Sequence, residues 1–241
     1  MKRFGLIGKT LKHSFSKKYF TKKFIELGID DCEYENYELE FIAAFPGLLK
    51  KNPDLIGLNV TIPYKEEILP YLHEASDGVK KIGACNCIKI IEGRLHGFNT
   101  DAMAFLNALL PQLKSHHTNA LVLGSGGAAK AVQFALSQAN IHFKIVSRKN
   151  DAALNYQQLS KEVMNQNLLI INTTPLGMFP NEEAPAIPYQ YLTAKHFLFD
   201  LIYNPAKSSF LKKGEEAGAQ IANGAEMLVL QAEASWNIWN N

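Results

Sequence analysis

Apolar residues along this chain follow two rhythms. Short runs at 3–8, 55–60, 119–123, 168–171 and 197–201, mostly apolar, and the more mixed stretches 34–39 and 141–146 predict strands. Between them, Tyr19, Phe20, Phe24, Ile25 and Leu27 recur at helical spacing as far as Gly28, and 41–49, 102–110 and 131–136 read as further helices. Strand feeding helix feeding strand predicts an α/β fold with a largely parallel sheet. One interruption is local: the run at 88–91 meets Arg94-Leu95-His96-Gly97 across Glu92-Gly93, which reads as a hairpin. The last helix starts after Asn223-Gly224, with Met227, Leu228, Ala234 and Ile238 on one stripe. Gln231 falls on that stripe, and a buried amide needs partners.

Composition narrows the classes. A chain of 241 residues, 47% hydrophobic, fits one large or two small domains with ordinary cores. The net charge is +2, and Lys22-Lys23, Lys50-Lys51 and Lys212-Lys213 are scattered pairs, so no nucleic-acid partner is expected. The N-terminus runs straight into a strand, and no apolar run approaches the ~20 residues of a membrane span, so no membrane partner and a cytoplasmic location are expected. Cys32, Cys85 and Cys87 make an odd count without zinc-knuckle spacing, and are expected to be reduced, buried thiols with no metal.

The chemistry centres on Asn59-Val60-Thr61-Ile62-Pro63-Tyr64-Lys65. Pro63 predicts the start of a short helix carrying Glu66 and Glu67, with Lys65 in its first turn. A cation there faces the positive end of the helix dipole, which eases loss of its proton. Lys65 is then either an acid/base group or a solvated lysine on a short surface helix.

Other polar residues stand where a ligand or a structural role would serve. In His13-Ser14-Phe15-Ser16 two hydroxyls point the same way if the backbone is extended, and Ser16 can cap a helix beginning at Lys17 or help cradle a small carboxylate. Asn86, among small and apolar residues, is either a satisfied buried amide or a substrate contact. Asn99 or Thr100 can cap the helix that follows the hairpin, leaving Asp101 in its first turn, where the dipole keeps a carboxylate ionised.

Strand 119–123 runs directly into Gly124-Ser125-Gly126-Gly127-Ala128-Ala129 and then a helix. Strand, glycine turn and helix in this order, with G-x-G-x-x-A spacing, predict a dinucleotide pyrophosphate on the helix N-terminus. About 20 residues on, where an acidic residue would meet a ribose hydroxyl, the chain has Ser147-Arg148-Lys149. Two cations there suit a 2′-phosphate, so the expected cofactor is NADP. The loops Asn172-Thr173-Thr174-Pro175-Leu176-Gly177-Met178 and Asp200-Leu201-Ile202-Tyr203-Asn204-Pro205 lie beyond strand ends, placed to border the nicotinamide.

These motifs, in order and spacing over nearly the whole chain, resemble the shikimate dehydrogenase family: Ser14-x-Ser16, Asn59-Val60-Thr61-x-Pro63-x-Lys65, Gly83-Ala84-x-Asn86, Gly97-x-Asn99-Thr100-Asp101, the Gly124 loop, the loops at 172–178 and 200–205, and Gly224-x-x-Met227-Leu228-x-x-Gln231. The resemblance implies an α/β, two-domain fold: a mixed substrate domain over 1–100 plus 225–241, and a Rossmann-like doubly wound NADP domain over 101–224, with the active site between them. It implies reversible hydride transfer between NADPH and 3-dehydroshikimate, giving shikimate, with Lys65 and Asp101 as the catalytic pair. Ser14 and Ser16 would take the substrate carboxylate, Thr61, Asn86 and Gln231 the ring hydroxyls together with Asp101, and Tyr203 the cleft wall. Gly124, Ser125, Gly126, Gly127, Ala128, Ser147, Arg148, Lys149, Thr173, Met178 and Gly224 would hold the cofactor.

The sequence departs from the family pattern at Lys17, where proline is usual after the second serine, at Phe20-Thr21 for His-Asn, at Ser147-Arg148-Lys149 for Asn-Arg-Thr, and at Ala152 for a second arginine. A quinate/shikimate dehydrogenase and a silent NADP-binding regulator are the rival readings, and a monomer or homodimer is expected.

Overall fold

A computed structural model describes residues 1–12, 14–148 and 153–241. In chain order its elements are β1 (Lys2–Gly8), α1 (Phe15–Leu27), β2 (Cys32–Glu38), α2 (Phe45–Lys51), β3 (Leu55–Val60), β4 (Glu74–Ala75), α3 (Asp77–Ile82), β5 (Cys87–Ile91), β6 (Arg94–Phe98), α4 (Asp101–Leu109), β7 (Asn119–Leu123), α5 (Gly127–Gln138), β8 (His142–Val146), α6 (Lys161–Gln166), β9 (Leu169–Asn172), β10 (Phe197–Asp200), α7 (Ser209–Glu216), β11 (Gln220–Ala222) and α8 (Ala225–Asn240). The chain divides into two compact units, Met1–Thr100 with Ala232–Asn241, and Asp101–Gln231. The division falls inside α8.

The first unit holds a six-stranded sheet in the order β2-β1-β3-β5-β6-β4. β1 runs parallel to β2 and β3, while β5 is antiparallel to both β3 and β6, so the sheet is mixed. The β5–β6 hairpin turns on Glu92 and Gly93, both at positive φ, which matches the strand twist in a two-residue turn. One face is packed by α1 and the C-terminal end of α8 around Phe4, Phe20, Phe24, Tyr34 and Trp239. Trp239 is buried, and Trp236 is half-buried against the same cluster. Trp239 stacks on Phe4 at 4.8 Å and its indole N–H donates to the Ile88 carbonyl at 2.9 Å. Truncating it to Ala would cost about 3–5 kcal/mol.

The second unit carries a five-stranded, all-parallel sheet in the order β11-β10-β9-β7-β8. β9 and β10 are buried along their whole length, as parallel strands covered on both faces must be, which explains their unbroken apolar sequences. Strand order reverses at β7, with β8 on one side and β9 on the other, so the loops after β7 and β9 flank the switch point.

Three expectations need correction. No helix follows Pro63: residues 62–68 form consecutive turns around a cis Ile62–Pro63 bond. The Lys65 carbonyl is taken by the Cys85 N–H at 2.8 Å, and the Leu69 N–H goes to Glu66 instead, so no α-helical ladder forms and the helix-dipole argument for Lys65 falls away. The N-cap of α1 is Ser14, not Ser16, because the helix already begins at Phe15. Of the three cysteines, none in a disulfide, Cys85 and Cys87 are buried, whereas Cys32 is half-buried beside Asp31, and desolvation followed by that contact raises its thiol pKa to about 11.

Candidate active site

The first unit gathers polar side chains at the C-terminal ends of β1 and β3. The Ser14 hydroxyl is a buried atom with no partner among the described residues, as expected of a group waiting for an acceptor from outside. Ser16, two residues on, is buried beside the Tyr34 hydroxyl. Tyr34 in turn donates to Asn59 Oδ1 at 2.9 Å, and Asn59 Nδ2 donates to Ser235 Oγ at 2.8 Å and to the Asn86 carbonyl at 3.2 Å. Asn86 is buried and both ends of its amide are held by Thr100: its Oδ1 accepts from the Thr100 N–H at 2.7 Å and its Nδ2 donates to Thr100 Oγ1 at 2.9 Å. Thr61 and Lys65 are half-buried, Thr61 directly after β3 with its N–H on the Ile7 carbonyl at 2.9 Å.

The sequence left Tyr34, Asn59 and Ser235 without roles. A lone asparagine in the apolar strand Leu55-Ile56-Gly57-Leu58-Asn59-Val60 is the visible signal, since a buried amide demands partners. At Lys17 the departure from the family pattern is accommodated by an ion pair with Glu35 at 2.6 Å, which ties α1 to β2. Phe20 is fully buried and stacks on Tyr34 at 4.6 Å.

In the second unit the Gly124 loop leaves β7 and enters α5, whose N-cap is Gly126. Gly124 has φ 111, and a Cβ there would lie 2.7 Å from Thr173 Oγ1. A Cβ on Gly126 would meet nothing within 4 Å, so the loop is open on that side. Ser125 and Ser147 face each other, Oγ to Oγ, at 3.3 Å, and Arg148 is exposed directly after β8. A glycine cradle at a helix N-terminus with an exposed guanidinium at the next strand end fits a dinucleotide with a 2′-phosphate. Lys149 and Ala152 lie outside the described residues, as does His13.

A buried network steadies the neighbouring loops. Asn172 Oδ1 accepts from the Thr174 N–H and hydroxyl, and its Nδ2 donates to Asp200 Oδ1 at 3.0 Å and to the Leu176 carbonyl at 3.1 Å. Asp200 also accepts from the Ile202 N–H and the Ser208 hydroxyl. Burial raises its pKa from 3.8 to about 6 against the pull of those three donors. This network holds the segment leading to Met178, which is exposed, and the segment leading to Tyr203, which is half-buried. Gly224 sits so tightly that a Cβ would lie 2.2 Å from the Leu201 carbonyl oxygen, and its N–H bonds to Ile202. Asp101 opens α4 and is buried; Gln231, also buried, donates to the Leu228 carbonyl at 2.9 Å. Among the described residues no group of three or more His, Cys, Asp or Glu is arranged to hold a metal ion, and no helix is long and apolar enough to cross a membrane.

Residues 6–88 match the shikimate dehydrogenase substrate binding domain. The shikimate dehydrogenase (NADP(+)) of Caldicellulosiruptor bescii is 36% identical, over 99% of this chain and 89% of its own length. The chain belongs to the shikimate dehydrogenase family. Its fold agrees with that of shikimate dehydrogenase 1 from Peptoclostridium difficile, with a TM-score of 0.87 and 35% identity over 100% of this chain and 92% of the other. It agrees equally with shikimate 5-dehydrogenase from Thermus thermophilus solved in complex with NADP(H) and shikimate, with a TM-score of 0.87 and 32% identity over 99% and 93%.

Proposed function

We propose that the protein catalyses the reversible, NADP-dependent reduction of 3-dehydroshikimate to shikimate. The observation that carries this reading is similarity to NADP-dependent shikimate dehydrogenases over essentially the whole chain. The Ser14 hydroxyl, without a partner among the described residues of the first unit, and the glycine cradle with exposed Arg148 in the second support it.

Bound NADPH supplies the hydride to the ring ketone. The protein supplies a proton and the geometry. Lys65 donates that proton to the carbonyl oxygen as charge gathers there, and in the reverse direction accepts it from the hydroxyl. Asp101 is its carboxylate partner. Ser14 and Ser16 receive the substrate carboxylate, and Thr61, Asn86 and Gln231 orient the ring hydroxyls, with Tyr203 on the cleft wall. The Gly124 loop from Ser125 to Ala128 receives the pyrophosphate, Ser147, Arg148 and Lys149 the 2′-phosphate, and Thr173, Met178 and Gly224 the nicotinamide half. Three cysteines outside any disulfide suit a reducing, cytoplasmic setting.

A four-way absorbance assay at the NADPH band tests the reading, pairing shikimate or quinate with NADP or NAD. Shikimate with NADP is expected to dominate kcat/KM. Faster quinate oxidation would favour the broader enzyme, and no turnover in any pairing would leave a silent cofactor-binding protein.

A further inference from the structure

Asn86 and Thr100 grip each other in a way that decides what the asparagine can offer a ligand. The Thr100 N–H can only donate, so the atom it reaches at 2.7 Å must be the amide oxygen of Asn86, and the amide orientation is fixed. The other end donates to Thr100 Oγ1 at 2.9 Å. That hydroxyl lies 3.4 Å from Ser235 Oγ, which accepts from Asn59, and all four residues are at most 3% exposed. Turning the amide over would set its NH2 against the Thr100 N–H, donor to donor, where water cannot intervene. In the orientation held, one N–H and one oxygen lone pair of Asn86 remain beyond the pair with Thr100. That is one donor and one acceptor, side by side, suited to a hydroxyl that both gives and takes a hydrogen bond.

We propose that Thr100, backed by Ser235 and Asn59, is a positioning residue for substrate recognition, presenting the Asn86 amide in the one orientation that a ring hydroxyl of shikimate can use. The proposal rests on the functional reading above and adds to it the residue that sets the geometry. Thr100 touches the substrate only through Asn86. It is also the residue at which the first unit ends before the chain passes to Asp101.

The test compares Thr100→Val, Thr100→Ala and Thr100→Ser in steady-state shikimate oxidation. Valine and alanine keep the backbone N–H that sets which end of the amide is which, but remove the hydroxyl that holds its NH2 in place, so the amide loses one of its two anchors. Alanine does so without setting a methyl group against Ser235, and the effect is read in whichever folds. The KM for shikimate should rise roughly five- to tenfold, the loss of about one hydrogen bond, with the KM for NADP unchanged. Thr100→Ser should restore it. Combined with Asn86→Ala, the Thr100 effect should vanish, because both act through one amide. A stability loss with both KM values unchanged, or full additivity with Asn86→Ala, would overturn the positioning role and leave the enzyme reading intact. A wild-type protein without shikimate turnover would remove both.

Discussion

A side chain at Gly124 would collide with the hydroxyl of Thr173, 2.7 Å from the position of its Cβ. That hydroxyl is pinned, since it donates to the Leu123 carbonyl at 2.6 Å, directly before the glycine. The two loops at the switch point of the parallel sheet are therefore built against each other. Replacement has two penalties, because φ 111 at Gly124 is also a conformation that L side chains rarely adopt. Gly124→Ala should weaken NADPH binding about tenfold or more, the equivalent of roughly 1–3 kcal/mol of local strain. A fluorescence titration of bound NADPH reads it directly, and unchanged affinity would exclude this loop as the cofactor cradle.

Asp200 is the keystone of the network behind that loop. Its carboxylate accepts from Asn172, Ile202 and Ser208, so Asp200→Asn turns an amide NH2 toward groups that themselves donate. A drop of several degrees in melting temperature is expected. The pH dependence has a definite sign. With the folded pKa raised from 3.8 to about 6, the contribution of this group is fully present below 3.8 and is lost as pH rises through 6. Wild type should therefore gain stability relative to Asp200→Asn as the pH falls through about 6, and parallel melting curves across that window would refute the assignment.

Two buried histidines work the other way. His117 Nδ1 accepts from the Lys114 N–H and His196 Nδ1 from the Thr193 N–H, while each Nε2 reaches a backbone carbonyl, Lys195 and Met164 respectively. Both are thus neutral Nε2–H tautomers, and burial, the largest cause in each, lowers their pKa below 6.5. Their stabilising contribution is present above 6.5 and is lost as pH falls toward the lower folded value. Nitrogen NMR should report the Nε2–H tautomer at neutral pH, and the double His117→Gln, His196→Gln variant should show a shallower acid decline than wild type. An Nδ1–H tautomer in either ring would contradict the hydrogen-bond assignment.

Arg148 follows β8 in the second unit, exposed where the ribose end of a dinucleotide is expected. Arg148→Asp removes a charge-assisted phosphate contact and sets a carboxylate at the position that otherwise selects a ribose hydroxyl. The ratio of kcat/KM with NADP to that with NAD should fall by at least about tenfold. An unchanged ratio would place the selectivity elsewhere.

Much of this architecture was legible because it is local. Buried parallel strands are apolar without alternation, the Glu92-Gly93 turn needs two positive φ values, and the glycine loop lies between its strand and helix within a dozen residues. Elements of six to eight residues, such as α3, α6 and α7, are too short for helical spacing to stand out. The turn after Pro63 reads as a helix only until Cys85, twenty positions on, claims the Lys65 carbonyl. Ser235 meets Asn59 from 176 positions away. No local pattern encodes such pairings, so the residues that orient the proposed site were harder to find than those expected to act in it.

Shikimate oxidation with NADP, measured for wild type and Lys65→Ala under the same conditions, tests the chemistry most directly. The account predicts rapid formation of NADPH by wild type, and in the variant a kcat lower by about two to four orders of magnitude with a shikimate KM within a few-fold of normal. Near-normal turnover without the lysine would contradict it.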